Sequence, residues 1–157
     1  MNLRSTLNHL EAAISQEIQG KADSLAWVQS LEQAVRDNNS TRFEELVKEG
    51  GVLCKLGESM ARQRTKLIEE LGRHWGVAAS ALTLGGVVRR SGPDGRRLGQ
   101  LREELRLAIA NVMKRQRRMA TLIGMHSRIN ADVMQIMLGC DSHKEVHQGG
   151  SLVNAEA

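Results

Sequence analysis

A chain of 157 residues is long enough for one domain with a real core. Its only aromatic residues are Trp27, Trp75 and Phe43, and Pro93 is its one proline, a composition that argues against sandwiches and barrels and for helices. The net charge of +4 is gathered in one segment: residues 89–128 carry eleven Lys and Arg against three Asp and Glu, while residues 1–88 are nearly neutral and 129–157 are acidic.

The opening segment, MNLRSTLNHLEAAISQEIQG, mixes charges throughout and does not read as a signal peptide. No apolar run reaches the ~18 residues a membrane span needs, so membrane insertion is not expected. Cys54 and Cys140 stand far apart and form no CxxC pattern. Two such cysteines fit a reducing compartment, so the expected location is the cytoplasm.

In chain order, residues 3–36 form the first expected helix. Leu7, Leu10, Ile14, Val28, Leu31 and Val35 recur at spacings of three and four. The segment RDNNST breaks it, and Thr41 with Glu44 reads as a capping box opening a second helix over 42–71. Its stripe is Leu46, Leu53, Met60 and Leu67, joined by Val47, Gly50, Gly57 and Leu71. Gly50-Gly51 marks either a kink or a close helix contact, and Gly72 is the expected stop. The glycine-rich stretch 73–95 is a connector with a short helix near 80–88.

The third long helix covers 96–139. Leu98, Leu101, Leu105, Ala108, Val112, Met119, Leu122, Ile129, Val133 and Ile136 keep a heptad register, interrupted at seam positions by Arg115 and His126. Arg115 is expected to carry its guanidinium past the edge of the core. Residues 140–157 are a polar tail with little capacity to pack. The predicted fold is therefore all-α, an antiparallel bundle of three long helices with a short connector helix, in a single domain over 1–139. The first two helices span ~45–50 Å each and the third ~65 Å, so the third outruns its partners at its C-terminal end.

Two features of that helix bear on function. Lys114, Arg115, Arg117 and Arg118 cluster on it. A solvated helix face is the plainer reading; phosphate attraction is the other, but no stacking aromatic and no zinc-finger or recognition-helix signature accompanies the charge, which disfavours nucleic acid. The second feature is methionine, five of whose seven copies fall between residues 113 and 137. Methionine suits surfaces that accept varied apolar partners, and it also fills gaps in cores. Because Met113, Met125, Met134 and Met137 lie off the seam, partly where the helix should overhang, the candidate client-binding surface comprises Met113, Met119, Leu122, Met125, Ile129, Val133, Met134, Ile136 and Met137.

No catalytic residues are expected. The chain has no GxSxG, no Walker loop and no HExxH, and His9, His74 and His126 are isolated. Cys140, His143 and His147 are ligand types at workable spacing, but a metal site is not expected in so polar a segment, and no cofactor is implied.

The order of features resembles the FlgN family of bacterial flagellar export chaperones. The resemblance rests on the long N-terminal helices, on the connector SALTLGGVV, and on RMATLIGMHSRINADVMQIMLG followed by VHQGGSLVN, and it covers most of the chain. It implies a cytosolic helical chaperone that binds the hook–filament junction proteins FlgK and FlgL through its C-terminal helical region and presents them to the flagellar type III export apparatus. Relatives often carry a tyrosine just beyond the last helix; this chain has none, so no aromatic docking residue is implied. The alternatives are a basic helical nucleic-acid-binding protein using residues 89–118 and a non-catalytic coiled-coil scaffold.

Overall fold

The computed structural model describes residues 2–137, the side chains of Ala79, Ile136 and Met137 excepted. It is all-α, with no strand among the described residues. The helices are α1 (Leu3–Arg36), α2 (Ser40–His74), α3 (Leu84–Arg90) and α4 (Arg96–Met137), with 3₁₀ turns at Ala79–Ala81 and Gly92–Gly95. The chain divides into two compact units at Ala120, and α4 contributes to both.

In the first unit α1 and α2 form an antiparallel hairpin with a very short turn. At the end of α1 the Asn39 N–H donates to the Ala34 carbonyl at 2.9 Å and the Asn38 N–H to the Val35 carbonyl at 3.2 Å. This is a Schellman closure, which needs its penultimate residue in the left-handed region. Asn38 supplies it, at φ 52°, and asparagine is the side-chain-bearing residue that tolerates it best. The next residue already caps α2, since the Asn39 side chain accepts from the Arg42 N–H at 3.0 Å. The expected capping box at Thr41 is thus displaced by two residues. Asn39 takes the role because the closure of α1 leaves it outside the helical region, and an asparagine oxygen reaches the free N–H groups as well as a threonine hydroxyl does.

The other end of α2 is also later than expected. Gly72 is buried inside the helix, and the stop is Gly76, at φ 62°. The Val77 N–H donates to the Gly72 carbonyl at 2.9 Å and the Gly76 N–H to the Arg73 carbonyl at 3.3 Å, so a second Schellman closure ends the helix.

The core of this unit is an aliphatic cluster built from all three long helices and the connector: Leu7, Leu10, Ala13 and Ile14 of α1, Leu67 and Leu71 of α2, Leu82 and Val87, and Leu98, Leu101 and Leu105 of α4. Leu10, Ile14, Leu71 and Val87 are completely buried. Beyond it lie Val28, Leu31, Leu46, Val112 and Met119, also buried. Val47, expected in the α2 stripe, is exposed, while Leu53 and Met60 are only half-buried. The α2 stripe narrows there because α2 presents glycine rather than a large side chain to α1.

Gly50 shows this best. A Cβ on it would sit 2.2 Å from Cζ2 of Trp27. The indole fills the space a side chain at Gly50 would need, and its Nε1–H donates to the Leu46 carbonyl at 2.6 Å. Of the two readings open for Gly50-Gly51, the close contact is the one present at Gly50; Gly51 has open space around it.

Two buried carboxylates cross between helices. Glu17 of α1 pairs with Arg64 of α2, and Glu32 of α1 pairs with Arg115 of α4 at 2.7 Å. Arg115 keeps a third of its side chain in contact with solvent, while a carboxylate with almost no solvent access holds one of its terminal nitrogens. The pair also fixes register: α4 runs parallel to α1, with Glu32 four residues from the end of that helix.

Candidate functional site

The second unit is described over residues 121–137, all helical. No residue in it with a described side chain is buried. At ~100° per residue, Leu122, Ile123, Ile129, Val133 and Met134 share an arc of ~140°, in which His126 and Asn130 also fall, while Thr121, Arg128 and Asp132 occupy the other side. This is the apolar stripe of a helix that expects a neighbour. Ile123, Met125, Ile129, Val133 and Met134 are each between 40% and 60% exposed, and Leu122 and His126 are half-buried.

Scattered exposed apolar residues are ordinary on a soluble protein. Here five large ones, all with branched or thioether side chains, fall within twelve residues of one helix, on or next to one face. A mainly apolar face, rimmed by polar residues, is what a partner-binding surface looks like. Methionine adds compliance, because its unbranched side chain and polarizable sulfur adjust to partners of differing shape.

The proposed site residues fall into three groups. Met125, Ile129, Val133 and Met134 are exposed together in the second unit, with Leu122 half-buried beside them. Met113 is exposed on the portion of α4 in the first unit, and Met119, in the same portion, is buried at 4% exposure and belongs to the packing of that unit. Ile136 and Met137 lie on the helix, but their side chains fall outside the described residues. Ile123 is exposed and on the strip, yet the heptad count passed over it. The signal was present: Ile123 follows Met119 by four residues, which the 3.6-residue period places on the same side.

Further exposed apolar residues stand on α2, namely Val47, Val52 and Leu56, and Leu107 on α4. Val52 and Leu56 are four apart and share a side of α2, a signal also legible in the sequence.

Other chemistry is limited. A shallow cavity of about 550 Å³ lies against α2 and the connector, lined by Arg64, Thr65, Ile68, Glu69, Ser80, Leu82 and Leu84. Its cation, Arg64, is already committed to Glu17, so an entering anion meets a neutralised charge. Among the described residues no three His, Cys, Asp or Glu side chains gather to hold a metal; Cys140, His143 and His147 lie outside them. No described helix is long and apolar enough to cross a membrane. Of the basic cluster, Lys114, Arg117 and Arg118 are exposed, while Arg115 is taken up by Glu32.

Compared with family models, with curated proteins and with solved structures, the chain matches none.

Proposed function

We propose that this protein is a non-catalytic export chaperone of the FlgN kind, acting in the cytoplasm and holding an apolar segment of a hook–filament junction protein, FlgK or FlgL, for delivery to the flagellar type III export apparatus. One observation carries the reading: the exposed apolar strip Ile123, Ile129, Val133 and Met134, with Met125 beside it. A client segment that forms an amphipathic helix would lay its own apolar face on that strip, as helix-in-groove recognition does elsewhere. Both partners then hide surface that would otherwise drive aggregation, and no bond is made or broken. The rigid part of the task falls to the first unit, whose core is complete without a client.

The test is direct binding of purified FlgK and FlgL, and of their C-terminal peptides, by titration calorimetry. Ile129→Glu combined with Met134→Glu puts two carboxylates on the strip and should weaken binding at least ~100-fold, because each would be desolvated without a partner. Circular dichroism should stay helical, since neither side chain is buried. Unchanged affinity in the double variant, or no binding of either protein by the native chain, would overturn the reading.

A further inference from the structure

A second surface lies in the first unit, in the segment RRSGPDGRR, residues 89–97. Arg89 and Arg90 form the last turn of α3, and Arg96 and Arg97 the first turn of α4. The corner between them is stiff. Gly92 sits at φ 57°, Pro93 fixes the next φ, and a Cβ on Gly95 would lie 2.7 Å from the Val88 carbonyl oxygen. Four arginines therefore flank one tight corner, all exposed. None makes an ion pair among the described residues; Arg97 reaches Gln100 at 3.5 Å, and Asp94 bridges to none of them.

Two of the four are placed against the fold's own electrostatics. The first turn of a helix is its positive end, where acidic residues stabilise and cations do not. The first turn of α4, a helix of 42 residues, carries Arg96 and Arg97, and the one acidic residue at this end, Asp94 in the 3₁₀ turn that leads into it, bridges to neither. An anion bound there would satisfy both arginines and the helix end together.

We propose that this arginine corner is a docking site for an acidic segment of a protein partner, a short run of Asp and Glu. Every cation between Lys66 and Lys114 is arginine, and arginine is the side chain whose planar fork meets a carboxylate with two parallel hydrogen bonds. A nucleic-acid duplex fits less well. It needs a continuous basic track, and along α4 the charge is interrupted where Glu103 pairs with both Arg102 and Arg106. Single strands want stacking aromatics, and the corner offers none. A membrane surface is better held by cations beside insertable apolar groups, and no large exposed apolar residue occurs between Leu56 and Leu107. The docking site is separate from the apolar strip and stands whether or not that strip binds a junction protein.

The probe is a fluorescent peptide of alternating Asp and Glu, followed by anisotropy at low salt. The variant Arg89→Gln/Arg90→Gln/Arg96→Gln/Arg97→Gln should weaken binding at least ~10-fold, and the same four positions as lysine should weaken it ~3-fold, since charge is kept and the fork is lost. Lys114→Gln/Arg118→Gln should stay within ~2-fold of native. If the quadruple variant folds poorly, Arg96→Gln/Arg97→Gln alone should lose ~3-fold in affinity while melting no lower than native, because it removes cations from a positive helix end. Peptide affinity unmoved by both the quadruple and the Arg96/Arg97 variants would overturn the proposal. So would tighter binding of duplex DNA, or of phosphatidylserine vesicles, than of the peptide at equal salt, for the corner would then be reading phosphate.

Discussion

Helix α4 holds two stretches of similar composition in opposite circumstances. Leu98, Leu101, Leu105, Val112 and Met119 are buried, whereas Ile123, Met125, Ile129, Val133 and Met134 are exposed. Residue type does not separate them, since both are aliphatic and methionine side chains at helical spacing. The difference is what faces them. Leu98, Leu101 and Leu105 share one buried cluster with residues of α1, α2 and the connector, and Arg115 still finds Glu32. That lesson is general for helices: periodicity announces that a face wants a partner and is silent on whether the partner lies in the same chain.

The sharpest way to break this comparison is to truncate one residue from each stretch or its counterpart. Leu10→Ala removes a completely buried side chain and should cost ~3 kcal/mol of unfolding free energy in urea, through lost transfer and the cavity left behind. Ile129→Ala should cost less than ~0.5 kcal/mol, because a mostly exposed side chain leaves no cavity. If Ile129→Ala proved as damaging as Leu10→Ala, the strip would already be covered in the free protein and could not be an open binding surface.

Next in size is the Glu32–Arg115 pair, which lies on the buried side of the comparison although both residues are charged. Glu32 is almost fully buried, and its Oε1 and the Arg115 Nε have no hydrogen-bond partner. Removing the cation alone leaves a buried carboxylate, so Arg115→Ala should cost ~2–3 kcal/mol, less than for a dry pair because Arg115 keeps some access to water. Replacing both by methionine should recover most of that loss, since an incompletely bonded buried pair is close in free energy to an apolar one. The double substitution should also loosen the register of α4 on α1, read as faster amide exchange over 108–119. Recovery of stability without any change in exchange would show that the aliphatic contacts alone set the register.

The glycines make a smaller and cleaner contrast. Gly50→Ala should destabilise by ~1–3 kcal/mol, because Trp27 occupies the space a methyl would need and must move off its bond to Leu46. Gly124→Ala, in the second unit, meets nothing within 4 Å and should stabilise by up to ~1 kcal/mol, as alanine does in a helix interior. Thermal melts of the two variants should therefore move in opposite directions.

These contrasts also show what the sequence makes legible. The all-α class follows from spacing: Leu7, Leu10 and Ile14, or Leu98, Leu101 and Leu105, admit no strand reading. Helix ends were less legible, because several residues competed for each. RDNNST offers Asn38, Asn39, Ser40 and Thr41, and only the geometry of the closure after Arg36 decides that Asn38 turns and Asn39 caps. The ion pair of Arg115 is illegible for a different reason. Its partner is 83 positions away in sequence, and no local pattern marks Glu32 as buried. Trp27 and Gly50 are likewise paired only by the hairpin. Of the candidate strip, Met125, Ile129, Val133 and Met134 were accessible from composition and spacing. Ile123 was lost because a heptad count was applied where no second strand of a coil enforces one.

The smallest expected effect belongs to the outward face of α4, where neither burial nor client is involved. Glu103 accepts from Arg106 Nε at 2.8 Å and lies 3.2 Å from Arg102. The hydrogen bond from Arg106, then the charges of Arg106 and Arg102, hold its carboxyl below the ordinary carboxylate value. A lowered folded-state value means that folding favours the ionised form. Its contribution to stability is therefore complete above the ordinary carboxylate range and fades as pH falls through the lowered value of Glu103. Because the pair is fully in solvent, the contribution is slight and should vanish in molar salt. A carboxyl-carbon NMR titration should place Glu103 below the ordinary glutamate value at low salt, and Arg106→Gln should bring it back toward that value. The same variant should leave the buried Leu98–Leu105 contacts and the exposed strip untouched. A shift that survived molar salt would mean that the α4 surface is less open to water than its exposure indicates, and would require a neighbour covering it.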